Sequence, residues 1–212
     1  MPIQDLDEST SLTYSSLQLP SRQVAPLVMR GLVNAINQKC RIEVDYVSLS
    51  NPDGEGRIIQ PHIFIKTGLR WHLRAFDEKH REFRDLVLSR FGGELELLDK
   101  ATHQGEQDQG WNTFVNIILA PDPRLSSAQK SVLEQDYQMQ NGQLVIETRA
   151  ALAQYLLQEM QVNFKYRDKS PEAQQLVLVN ESDIKAGYLV VKEDLGRIPV
   201  NKVYWFYLPY LQ

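Results

Sequence analysis

Apolar residues recur at spacings of three and four between Arg22 and Lys39, so that Val24, Leu27, Val28, Gly31, Leu32, Ala35 and Ile36 form one stripe of a predicted helix. Ser21 is the expected N-cap, and Pro26 falls within the first turns, where a missing amide N–H is best tolerated. Beyond Lys39 the pattern switches to alternation. RIEVDYVS (41–48), GRIIQPHIFIK (56–66), LRWHLRAFD (69–77), FRDLVLSRF (83–91) and ELELLD (94–99) are strand-like, and the NPDGEG, TG, DEKHRE and GG between them are turn material. Strands this short, joined by turns this tight, predict a small antiparallel β-barrel, closed or nearly so.

The pattern changes again after residue 100. The polar stretch KATHQGEQDQG contains an interdomain linker over 101–110. WNTFVNIILAPD (111–122) then reads as a strand, LSSAQKSVLEQDY (125–137) as a helix and GQLVIETR (142–149) as a strand. ALAQYLLQEMQ (151–161) places Leu152, Tyr155, Leu156 and Met160 at helical spacing, and QQLVLVN (174–180) is a last apolar strand. This order predicts a small α/β sandwich over 111–180, so the chain as a whole belongs to the α+β class. Residues 1–21, rich in Ser, Thr, Asp and Gln, read as a leader or linker. Residues 181–212 form a tail that ends in the aromatic cluster KVYWFYLPYLQ.

Composition narrows the function classes. The 212 residues are 42% hydrophobic and 24% charged, with a formal net charge of −4, which argues against a chain that coats nucleic acid through bulk positive charge. One cysteine, Cys40, cannot build a disulfide framework or a thiolate cage and suits a reducing compartment. No apolar run of bilayer length and no secretion signal is present, so the expected location is the cytoplasm, away from membranes. The four histidines show no metal-ligand spacing, and the phosphate-loop, dinucleotide and nucleophile-elbow motifs are missing. The glycines of GEGR (54–57) read as a turn. The expectation is therefore a protein that is not an enzyme and needs no metal or cofactor.

Candidate chemistry lies on the strands. In LRWHLRAFD, Trp71, Leu73 and Ala75 share a face predicted to be core, while His72, Arg74 and Phe76 share the other. Tyr46 and Ser48 fall on one face of the first strand, and Gln60, His62 and Phe64 on one face of the second. Arg84 and Arg90 have the same parity in the fourth. Taken singly, a basic residue on an outer strand face is most simply a solvated one. Grouped on successive strands, these side chains would combine guanidinium forks, imidazoles, hydroxyls and rings, a mixture suited to phosphate and base.

The stretch PHIFIKTGLRWHLRAFDEKHREFRDLVLSRF resembles the WYL domain of bacterial transcriptional regulators. It has a strand near a Pro, a short turn, a Trp-aromatic-Leu triplet, a polar turn and an Arg-containing strand that closes on Arg plus an apolar residue. The resemblance spans residues 22–100, and 111–180 resemble the C-terminal extension domain that often follows WYL. It implies a Sm/SH3-like barrel that senses a nucleic-acid or nucleotide-like anionic effector and controls operator binding by a homodimer. Some relatives act in antiphage defence. It also implies a ligand-facing set of Tyr46, Ser48, His62, His72, Arg84 and Arg90, with Arg74 as a neighbour. The triplet here is Trp71-His72-Leu73, with histidine in the middle tyrosine's place, so the charge of this position is expected to depend on pH near neutrality.

About twenty residues precede the helix, too few for a winged helix-turn-helix, so operator DNA is expected to be met only through a reader outside this chain. Dimerisation is expected from the apolar stripe of Arg22–Lys39 and from the aromatic tail. The alternative to a sensor is a protein-interaction adaptor with no small ligand.

Overall fold

A computed structural model of the chain describes residues 20, 22–162 and 170–184. Ser21, the leader over 1–19 and the KVYWFYLPYLQ cluster lie outside the described residues. Helix α1 (Pro26–Gln38) begins four residues later than the periodicity suggests. Pro26 occupies its first turn, the cap residue is Ala25 without a side-chain cap, and Lys39 ends the helix in the left-handed conformation at φ 52°. Val28, Leu32 and Ala35 are buried as the stripe requires, but Leu27 points to solvent.

Five strands follow: β1 (Cys40–Tyr46), β2 (Glu55–Lys66), β3 (Trp71–Asp77), β4 (Glu82–Val87) and β5 (Phe91–Lys100). All neighbours are antiparallel and the sheet order is β4-β3-β2-β1-β5. The α+β class stands, but the expected barrel does not close, because no ladder joins β4 to β5 among the described residues. The sheet instead bends, with register shifts in the β1–β5 and β2–β3 pairings. Val87 N–H of β4 donates to the Tyr46 hydroxyl of β1 at 3.0 Å, and Val47 N–H extends the β1–β5 pairing to the Arg90 carbonyl at 3.1 Å. Helix α1 covers the concave face, and Val28, Leu32, Ala35, Ile42, Val44, Ile59, Leu73, Ala75 and Leu86 make the core.

Three local features depart from simple alternation. The predicted fourth strand (83–91) is interrupted by a 3-10 turn at Leu88–Arg90, which removes the shared parity of Arg84 and Arg90. A bulge between Pro61 and Ile63 leaves His62 unpaired and sends Phe64 to the core face opposite Leu73, so Gln60, His62 and Phe64 do not share a face. Trp71, expected in the core, is 47% exposed, because its strand end projects past the core, where Lys66 lies over its ring.

A second unit follows the sheet. Helix α2 (Gln109–Asn112) is capped by the Asp108 carboxylate, which accepts from Trp111 N–H, and leads into β6 (Phe114–Pro121). Helix α3 (Ser127–Asp136) opens with a Ser126–Gln129 capping box. Strand β7 (Leu144–Arg149), helix α4 (Ala153–Glu159) and strand β8 (Leu176–Leu178) complete a three-stranded antiparallel sheet of order β7-β6-β8. Its core is Ile117, Leu119, Ala153, Leu157, Val162 and Leu176. Among the described residues no helix is long and apolar enough to cross a membrane.

Candidate functional site

The face of β3 that carries His72, Arg74 and Phe76 is not solvated. Each of the three is buried, and each meets a different residue of the segment that follows the sheet. Phe76 stacks on His103 with ring centroids 3.8 Å apart and planes 2° apart. Arg74 donates to Asp108 through Nε at 2.5 Å and a terminal nitrogen at 2.9 Å, and to Asp85 at 2.9 Å. His72 lies against the Tyr155 ring at 4.9 Å, and the Tyr155 hydroxyl donates to the second oxygen of Asp85 at 3.0 Å. The stretch expected to be an interdomain linker packs against the sheet. Gln60 pins it by accepting from the backbone N–H groups of Thr102 and His103.

Asp108 is the centre of this contact. It is 1% exposed, and besides Arg74 it meets His62 Nε2 at 2.9 Å. Burial opposes its charge, but the hydrogen bonds from His62 and Arg74 outweigh burial and lower its pKa to about 2. Burial likewise opposes the charge of Arg74, while Asp108 and Asp85 raise its pKa above the ordinary arginine value. With three bonds to carboxylates, the Arg74 guanidinium is occupied in holding the two units together. His62 packs edge-on to Phe83 and Trp111 in the same contact.

His72 has no such partners. It is 5% exposed, and neither ring nitrogen finds a hydrogen bond. Leaving a buried polar atom unpaired costs about 1–3 kcal/mol. Burial lowers its pKa to about 4 against the pull of Asp85, and the nearby charges of Arg70, Arg90 and Arg22 push it the same way as burial. It is therefore neutral at physiological pH, and the expectation of titration near neutrality is corrected. Arg70 is itself lowered, first by burial and then by Arg22 and Arg90. The charges of Arg70, Arg90 and Arg22 thus act on a neutral imidazole without hydrogen bonds, and none of the three forms an ion pair with a described residue.

The expected ligand-facing set is divided by this geometry. His72 and Arg90 belong to the cationic cluster, and His62 and Arg74 to the Asp108 contact. Arg84 lies at the other end of β4, 3.8 Å from Asp77, near Arg57 and His80, which also bond Asp77. Ser48 stabilises the turn after β1, its hydroxyl accepting from Asn51 N–H at 3.0 Å. Tyr46 is a core residue with its ring against Phe91 and Arg57. Sequence reasoning missed Arg70, Arg22, Asp108 and Asp85, and read Tyr155 only as a helical apolar position. The signal available for Asp108 was its place as a cap three residues before Trp111. Among the described residues no His, Cys, Asp or Glu cluster suited to a metal ion occurs.

Comparison with known proteins assigns both units. Residues 11–96 match the family model described as WYL domain. The chain carries a WYL domain. Residues 114–184 match the model described as BrxR transcriptional regulator, C-terminal dimerization domain. The chain is 38% identical over 154 residues to the DNA-binding transcriptional repressor CapW of Pseudomonas aeruginosa, covering 73% of this chain and 51% of that protein. It is 36% identical over 159 residues to CapW of Escherichia coli (75% and 53%), and 28% identical over 166 residues to CapW of Stenotrophomonas maltophilia (78% and 56%). The chain spans about half the length of these curated relatives. The cationic cluster lies in the WYL unit, and Tyr155 reaches it from the unit that matches the dimerization model.

Proposed function

We propose that the chain is the effector-sensing and dimer-forming portion of a WYL-type transcriptional repressor, and that it acts by binding rather than catalysis. Its effector is a nucleic-acid or nucleotide-like anion. The homodimer meets operator DNA through a part of the protein other than these two units. The repressor names of the relatives support the regulatory half of this reading.

The observation that carries the effector half is buried His72, both ring nitrogens unbonded, under the charges of Arg70, Arg90 and Arg22, none of which is ion-paired with a described residue. Like charges without carboxylate partners oppose one another, and a phosphate removes the conflict with charge-assisted hydrogen bonds. From the expected set this site keeps His72 and Arg90 and adds Arg70 and Arg22. Titration of short single-stranded DNA, RNA and cyclic oligonucleotides is expected to show binding that weakens with salt and is lost on changing Arg70 and Arg90 together to alanine. Binding by none of these ligands, or binding indifferent to both arginines, overturns the effector reading.

Leu69 and Trp71 stand exposed in and beside the β2–β3 turn, next to the same face, and favour a second reading as a protein-docking surface. A stable partner captured through Trp71 and not displaced by oligonucleotides would support it over the first.

A further inference from the structure

The way His72 is covered points to how the site is regulated, and this step rests on the effector reading above. A neutral imidazole offers one donor and one acceptor, yet in the closed arrangement it uses neither. The Tyr155 ring occupies the adjacent space, tilted 49° to the imidazole rather than stacked on it. A planar aromatic group with a polar edge is thus already seated beside His72, supplied by α4. Two hydrogen bonds hold α4 down on either side. Tyr155 donates to Asp85, and the Glu159 carboxylate accepts from Gly68 N–H at 2.5 Å in the turn that also carries Arg70.

We propose that Tyr155 occupies the planar-group half of the effector site, and that a nucleotide-like effector binds by displacing it from His72 and releasing α4 from the sheet. The effector's base pairs its polar edge with the imidazole nitrogens that Tyr155 leaves unbonded. Its phosphate, drawn to Arg70 and Arg90, adds negative charge at the turn that Glu159 caps and weakens the second fastening. Because α4 belongs to the second unit, its release passes the event at the cationic cluster to the dimerization half of the chain.

The test is a titration of this chain with a short single-stranded oligo(dA), joined to hydrogen exchange of α4 amides. Tyr155→Phe keeps the ring and removes the bond to Asp85, and Glu159→Gln keeps the shape and weakens the bond to Gly68. Apparent affinity scales with the fraction of molecules whose site is open, so each variant is expected to bind oligo(dA) roughly fivefold more tightly. Saturating oligo(dA) is expected to speed α4 exchange in the wild type, and His72→Phe to weaken binding. Arginine-dependent binding with unchanged affinity in both α4 variants, or with unchanged α4 exchange, overturns the displacement and leaves the effector reading standing. No binding by the wild type or by either variant overturns both.

Discussion

His72 and Asp108 are buried side chains whose acid–base behaviour differs because one is unpaired and the other doubly paired. For His72 the folded-state pKa of about 4 lies below the ordinary 6.5, so the unfolded chain takes up a proton that the folded chain refuses. Stability therefore falls as pH drops from about 6.5 to 4, by on the order of 3 kcal/mol. For Asp108 the folded value of about 2 lies below the ordinary 3.8, so its contribution is present above that value and is lost as pH falls through about 2. Urea unfolding across this range should show both phases in the wild type. His72→Phe should lose the first, and the difference between the two proteins isolates His72 from the other histidines. Asp108→Asn should cost about 3–5 kcal/mol in the same measurement, because it leaves the Arg74 guanidinium buried against half its partners.

At the scale of elements, periodicity located the helices and strands, and local backbone chemistry decided their ends. The α1 stripe was legible because Leu32 and Ala35 are buried for the reason that makes them apolar. Leu32→Ala should destabilise the chain by about 2–5 kcal/mol, read by chemical denaturation. The bulge at Pro61–Ile63 and the 3-10 turn at Leu88–Arg90 were not legible, since each inserts a residue that alternation does not announce. Their consequence reaches the site, because the first frees His62 to meet Asp108 and the second moves Arg90 away from the row of Arg84. The polar residues of the expected linker serve buried polar partners, which alternation and composition do not announce. Asp108 and the backbone of Thr102 and His103 satisfy Arg74 and Gln60, and polarity alone does not separate that use from solvation.

For the whole molecule, the WYL unit and the second unit are joined through Asp108, Tyr155 and Glu159. Dimer formation is expected to reside in the second unit. Sedimentation equilibrium at micromolar concentration should give twice the 24.4 kDa chain mass, and a monomer there would count against the proposal. What the sequence determined by itself was the class of fold, the two-unit order, most of the core, and the oddity of a strand with histidine and arginine on one face. These follow from local periodicity and composition, which neighbouring residues carry along the chain. The tertiary structure decided what that face meets. Arg74 finds Asp108 thirty-four residues away, Tyr155 covers His72 from α4, and the charges of Arg22, Arg70 and Arg90 act on His72 from separate segments. Charge and hydrogen-bond complementarity act through space, and only the folded chain brings such distant residues within their range.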